Sequence, residues 1–537
     1  MSGVKSILLM IFCYVEVNGG YLYPEQIHIS WTENSNEMRA TWVTYLESQP
    51  IAAYSSISLK GSSQDWTFVV GETKPFLESN TGDSIKLHYF GIIGIVPVII
   101  YFFLWFHYNL ALLFWSFIFS AIYTHLIPTE NKIAEEFIYI FNEGLYGIDF
   151  YGILNIVIDA TLSGELNFGF GERYQYVHTA VFYDLSPDTW YEYKVGNLGF
   201  WSKKYVFYGR TPDSENNFED VNDPYTMIIF GDLGTGPIAQ PTKKLLEKEA
   251  LEGNSLGIFH LGDIAYNLDK KNGKIGDEYL NMIEPIAASL PYMTVPGNHE
   301  KFYNYTQYKS RFYMPVNNKN QGTGYFYSLN LGPIHFIFHN TNLYFDESTK
   351  IEAEIQLKWL INDLNKANRN RKKRPWIIVM SHHPLYCSQN WFEEGSQEDC
   401  GSEPAVLKPI LEDLFYSNSV DLLLQAHVHN YERAAAIYKN KTIPSELDNH
   451  HWHINPKAPI YIVSGNAGNH YGRNDPKSAT PQPWSRFLSD DYGFGRLKAI
   501  NNTHLYWEQV SALTNKEIDY AWIVKKHPRY DPSLLEF

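Results

Sequence analysis

From residue 225 onward the chain alternates short apolar runs with longer amphipathic stretches. Residues 227–230 (MIIF), 257–261 (GIFHL), 292–295 (YMTV), 376–380 (WIIVM) and 421–424 (DLLL) are the apolar runs. Runs of this length read as strands buried on both faces, while 241–252 and 352–367 carry the period of helices. The pattern predicts an α/β arrangement, in which ligand-binding loops gather at the carboxyl ends of the strands. The first 215 residues follow a different rhythm. Segments 26–32 (QIHISWT) and 38–45 (MRATWVTY) alternate with period two, as do 178–183 and 191–195 around Leu185-Ser186-Pro187. Segment 201–207 adds another strand before Thr211-Pro212 ends the run. Half-buried strands separated by turn signals predict a small β-sandwich, whose role would be to pack against the second half. Late in the chain, 459–463 and 492–497 read as closing strands, and 464–469 (SGNAGN) as a turn-rich loop bordering the site.

Each of the five apolar runs ends in a loop bearing a metal-capable side chain. In order they are Gly-Asp232-Leu-Gly, Gly-Asp263-Ile-Ala-Tyr266, Gly-Asn298-His299-Glu300, Val-Met-Ser-His382 and Ala-His427-Val-His429. Taken singly, each has an ordinary structural use: Asp after a strand caps helices, Asn298 suits a turn, and Tyr266 suits a core. His427 and His429, two apart on an extended segment, point the same way, which chance also produces. Five such loops in sequence are a different matter. Oxygen donors with imidazole, and no paired cysteines, suit iron, zinc or manganese and not a thiolate site.

These motifs resemble those of the purple acid phosphatases, a branch of the calcineurin-like metallophosphoesterases, over about residues 23–528 apart from one interruption. The tyrosine of Gly-Asp-x-x-Tyr is the discriminating element. The resemblance implies an α+β protein: a signal peptide (1–20), a fibronectin type III-like β-sandwich (21–215), a calcineurin-like α/β sandwich metallophosphoesterase domain (222–455), and a C-terminal region completing it (456–530). It implies that Asp232, Tyr266 and His429 hold Fe(III), that Asp263 bridges two metals, and that Asn298, His382 and His427 hold a divalent iron, zinc or manganese. His299 takes the position that faces substrate. Ala426 replaces the glycine of the commoner Gly-His-x-His, and His383 stands where many animal relatives carry arginine.

The chemistry implied is hydrolysis of phosphate monoesters by a metal-bound hydroxide, with protonated His299 as general acid toward the leaving alkoxide. Because an imidazole titrates near ~6.5, activity at acid pH is expected. Tyr431, Glu432 and Arg433, directly after the last ligand, read either as an outer shell orienting His429 and the bridging site or as a surface salt bridge. A non-enzymatic phosphate-ester or partner-binding protein on the same scaffold is the alternative, and loss of any ligand would have favoured it.

Composition narrows the setting. A chain of 537 residues exceeds what one core supports, so two or more domains are expected. Lys5, the apolar run 7–17 and the small residues Gly19 and Gly20 read as a signal peptide, giving a secreted or lysosomal expectation. Its removal leaves Cys387 and Cys400, read as a disulfide worth about 3 kcal/mol or as two free thiols. Asn304, Asn440 and Asn501 head glycosylation sequons. A net charge of −16 with no basic stripe argues against nucleic acid and anionic membrane as partners.

The interruption is about residues 84–170. No Asp, Glu, Lys or Arg occurs between Lys86 and Glu130, and the run is rich in Phe, Ile, Leu, Trp and Tyr. A membrane hairpin, an apolar partner-binding lobe and translated intron are three readings of it. The third is preferred, because the segment continues neither the alternation nor the turn pattern of the sandwich.

Overall fold

The structure, a computed structural model, describes residues 21–57, 65–77, 174–210, 224–316, 324–389, 403–472 and 481–526. The expected signal peptide, Cys400 and the apolar interruption lie outside the described residues. Among the described residues no helix is long and apolar enough to cross a membrane.

The N-terminal region forms two four-stranded antiparallel sheets. One runs Glu25–Trp31, Met38–Thr44, Tyr174–Phe182, Glu72–Leu77; the other runs Thr67–Val70, Ile51–Ser56, Trp190–Gly196, Tyr205–Tyr208. Aromatic rings join their faces: Phe182 of the first sheet lies 4.8 Å from Tyr54 and 5.4 Å from Tyr193 of the second. Trp201, expected within a strand, makes only an isolated bridge to Gly196. Three strands went unread in the sequence. Ile51–Ser56 (IAAYSS) lacks the bulky alternation that marks a strand, and Glu72–Leu77 contains Pro75. That proline is tolerated because its strand is an edge, where a missing N–H disrupts no second neighbour.

The first strand departs from the half-buried expectation: all but its first residue are buried. Its outer face is covered by the second half of the chain. Trp31 meets Phe259 edge-on at 6.1 Å, His28 Nε2 lies 2.9 Å from the Arg311 carbonyl, and Ser30 Oγ donates to the Tyr313 carbonyl. Gln175 donates to Asp277 and Tyr193 to the Ala288 carbonyl across the same seam. The sandwich therefore packs against the second half through both polar and aromatic contacts.

Two mixed sheets make the second half. Parallel strands Tyr225–Phe230, Gly257–His260 and Tyr292–Thr294 lie in one, and parallel strands Ile334–His339, Trp376–Ser381, Leu422–Gln425 and Ile460–Ser464 in the other. Every one of the five apolar runs is a strand, fully buried as its unbroken apolarity requires. Phe259 interlocks the sheets edge-on, 4.9 Å from Phe336 and 5.0 Å from Phe338. Helices Gln240–Glu252 and Lys350–Arg369 extend the predicted segments; the first stops at Gly253, whose left-handed φ of 67° suits a residue without Cβ. The C-terminal strand Gly493–Ala499 pairs antiparallel with Tyr225–Phe230, so the end of the chain completes the first sheet.

Candidate metal centre

The site sits where the carboxyl ends of both sheets meet. Asp232 follows Tyr225–Phe230, Asp263 and Tyr266 follow Gly257–His260, and Asn298 and His299 follow Tyr292–Thr294. His382 follows Trp376–Ser381, while His427 and His429 follow Leu422–Gln425. The turns are tight enough to force Asp232, Asp263, Tyr266 and His427 into left-handed backbone, with φ of 65°, 55°, 52° and 70°. Such conformations cost of order 1–3 kcal/mol each and persist where the surroundings over-determine them. Gly297 is required by crowding, because a Cβ there would strike the Asp263 carboxylate.

The seven expected ligands converge in two triads around Asp263. In one, the Tyr266 hydroxyl donates to Asp232 Oδ1 at 2.6 Å and lies 3.2 Å from His429 Nε2, which is 3.5 Å from Asp232 Oδ1. In the other, Asn298 Oδ1 lies 3.0 Å from both His382 Nε2 and His427 Nδ1, and those nitrogens are 3.2 Å apart. Asp263 Oδ1 is 3.3 Å from His382 Nε2. Donor atoms of Asp232, Asp263 and His382 all fall within 4.8 Å of one another.

Neighbouring groups fix which ring atom faces the centre. His382 Nδ1–H donates to the Leu261 carbonyl at 2.7 Å, which turns Nε2 inward. Glu403 Oε1 stands 3.8 Å from His427 Nε2, on the opposite side of the ring from Nδ1. His299 Nδ1 pairs with Asn267 Oδ1 at 2.9 Å, leaving Nε2 3.7 Å from Asp263 Oδ2. Glu300 is the residue whose role the sequence did not disclose. Its buried carboxylate accepts the backbone N–H groups of Asp263, Ile264 and Gly297, each at 2.8 Å, so it ties two ligand loops together.

Charge in this pocket is arranged for a cation. Burial opposes ionisation of both partners, yet Asp263 holds His382 up at about 9, and His382 holds the Asp263 carboxyl well below the usual range. Burial, with the His382 charge added, pushes His427 down to about 3, so that ring is a neutral donor. Burial and the Asp232 charge raise the Tyr266 phenol well above its ordinary value, so only a strong Lewis acid would ionise it. His299 is lowered by burial, with Asp263 opposing. His383 is buried between His427 (4.5 Å) and Phe345 (4.7 Å), bonded to the Thr341 hydroxyl, and burial keeps it neutral.

Tyr431, Glu432 and Arg433 meet only one of the two readings' requirements. They form no surface salt bridge, because all three are buried. Arg433 holds Asp519 through Nε at 2.7 Å and Nη2 at 2.8 Å, with Nη1 near His453 Nε2. Tyr431 donates to the same Asp519 at 2.6 Å and accepts from Trp507 Nε1. Glu432 accepts from the Ser388 backbone and from the Ser388 and Ser485 hydroxyls. The side chains thus brace the post-ligand strand Tyr431–Tyr438 against the C-terminal strands. Cys387 is buried, Asn304 and Asn440 are exposed, and Asn501 is half-buried, its Oδ1 accepting the Thr503 and His504 backbone N–H groups.

Residues 225–431 match the family model described as calcineurin-like phosphoesterase, and 458–520 match the model described as iron/zinc purple acid phosphatase-like protein C. A human protein, acid phosphatase type 7, is 36% identical over 411 residues, covering 76% of this chain and 87% of its own length. The chain belongs to the purple acid phosphatases. The Danio rerio acid phosphatase type 7 is 39% identical over 379 residues, covering 67% and 80% of the two chains. A purple acid phosphatase from yellow lupin seeds shares the fold, with a TM-score of 0.65 at 21% identity, covering 94% of this chain and 75% of that one. A purple acid phosphatase fold implies a dinuclear metal site, and these residues fit one. The donors are oxygen and imidazole only, and the pocket's two carboxylates already stabilise positive charge on His382.

Proposed function

We propose that this protein is an acid phosphatase hydrolysing phosphate monoesters at a dinuclear centre. The observation that carries the reading is the pair of ligand triads flanking Asp263, with His299 3.7 Å from that same carboxylate. Asp232, Tyr266 and His429 would hold Fe(III); Asn298, His382 and His427 would hold divalent iron, zinc or manganese; Asp263 would touch both. Bound metals would supply Lewis acidity, making water nucleophilic and neutralising phosphate oxyanions. The chain's own part is positioning and proton supply. Because His299 Nδ1 is committed to Asn267, its Nε2 is the atom that delivers a proton to the leaving oxygen. Burial lowers its affinity for that proton, so the acid form accumulates only under acidic conditions.

The same reading makes the N-terminal sandwich fibronectin type III-like, pairs Cys387 with Cys400, glycosylates Asn304, Asn440 and Asn501, and places the protein on the secretory route, secreted or lysosomal. Phosphate monoesters are its substrates; nucleic acid is not a partner.

The test is the iron- and zinc-loaded protein assayed on an aryl phosphate at about pH 5 and about pH 8. Faster turnover in acid is expected, with a visible charge-transfer band that Tyr266→Phe removes and one divalent ion lost in His427→Ala. Loaded wild type without turnover, or full metal retention in His427→Ala, would overturn the reading.

A further inference from the structure

The loop after strand Ile460–Ser464 presents two aromatic side chains over the proposed centre. Its backbone is held from below: Ala467 N–H donates to the Gly231 carbonyl, Gly234 N–H to the Gly468 carbonyl, and Leu233 bridges Gly468. Asn469 is buried, and its Oδ1 accepts the Tyr471 N–H at 2.8 Å. From this anchored base His470 and Tyr471 project outward, with ring centroids 4.0 Å apart. Tyr471 stands edge-on to Tyr266 at 5.7 Å and tilted to His299 at 6.0 Å, yet it is 60% exposed. The ring is thus open to solvent on a firmly tied loop and borders the proposed centre.

The position of His299 says what the ring would meet there. A general acid must sit beside the leaving oxygen, so the leaving group occupies the space on the His299 side of the centre. Tyr471 borders that side. Phe345, also partly exposed, packs against His383 next to the opposite triad. We propose that Tyr471, supported by His470, is a stacking platform for the leaving group and makes the site prefer phenolic phosphate esters over small aliphatic ones. This rests on the phosphatase reading above. An aromatic leaving group gains the offset or edge contact of paired rings, which glycerol lacks.

The test compares phenyl phosphate with glycerol 2-phosphate on the metal-loaded full chain, in wild type, Tyr471→Ala, Tyr471→Phe and Phe345→Ala. In Tyr471→Ala the phenyl-over-glycerol ratio of kcat/KM should fall roughly three- to tenfold. The loss should lie in KM, and Tyr471→Phe should retain the wild-type ratio. Inhibition by phenylphosphonate and methylphosphonate, neither of which is hydrolysed, separates stacking from leaving-group chemistry. Tyr471→Ala should weaken the first selectively. Equal weakening of both inhibitors, an unchanged ester ratio, or selective loss in Phe345→Ala instead would overturn the inference. Wild type inert on both esters would sink the phosphatase reading itself, an outcome distinct from these.

Discussion

Glu300 holds three backbone N–H groups with two oxygens, and that arithmetic decides what its replacement does. Oε2 accepts from Asp263 and Gly297, and Oε1 from Ile264. Burial and the nearby Asp263 charge push its carboxyl up to about 8, against the pull of those donors. Glu300→Gln keeps size and one acceptor oxygen but turns an NH₂ toward at least one N–H. Leaving a buried donor unmatched costs about 1–3 kcal/mol, and here the loss falls on the two loops that set the distance from Asp263 to Asn298. Metal analysis and urea unfolding of Glu300→Gln should show weaker retention of metal together with a lower unfolding midpoint. Retention of both ions at wild-type stability would remove Glu300 from the set of positioning residues. The seven proposed ligands could be picked out as a set because each follows a strand within a few residues. Glu300 stood in a quoted motif, but its partners at 263 and 264 are brought to it only by the parallel pairing of strands. Glu403 gave no signal, since its place near His427 is set by a helix start far along the chain.

At the level of single elements, unbroken apolar runs translated directly into buried strands, whereas alternation located strands but misjudged how far the first is buried. The first strand, Glu25–Trp31, alternates like a surface strand but is covered on both faces, its polar residues meeting polar groups of the catalytic half instead of water. His178, on strand Tyr174–Phe182, is a buried polar residue of the same kind with a measurable consequence. It sits between Thr44 Oγ1 at 2.8 Å and Thr73 Oγ1 at 2.9 Å, tilted against Trp42, and burial lowers it to about 4. Its folded value lies below the ordinary 6.5. The unfolded chain therefore takes up the proton first, and stability present above pH 6.5 is lost as pH falls toward 4. The full loss is on the order of 3 kcal/mol. Urea unfolding across that window should show the decline, and His178→Asn should flatten its slope even though the variant starts less stable. An identical slope in the variant would assign the pH dependence to other groups. This loss runs opposite to the proposed activity, because acidification populates the His299 acid while loosening the sandwich.

The two halves make one packed body, and that constrains the interruption at about 84–170. Strands Glu72–Leu77 and Tyr174–Phe182 are antiparallel neighbours, and Leu77 pairs with Tyr174 at the last rung of their ladder. The chain thus leaves the sheet and re-enters it at one point, the place where an ordinary hairpin would turn. Among the described residues nothing in the sandwich requires more than a short connection there; a two-residue Asn-Gly turn spans such a gap and matches the strand twist. This geometry supports the reading that the apolar segment is absent from the working protein. The sequence already favoured that reading, but the pairing itself was not legible there, since Glu72–Leu77 went unread as a strand and the partner was therefore missing. Loop-closure entropy changes by only about 0.6 kcal/mol per doubling of length, so shortening the connection threatens no stability. A variant joining Leu77 to Tyr174 through Asn-Gly should fold, stay soluble without detergent, and match the full chain in metal content and turnover per mole of metal. Sequencing the mature transcript should show the joint or something close to it. A message encoding the whole run, with the excised variant insoluble and the full chain extracted only by detergent, would make the membrane hairpin the better account.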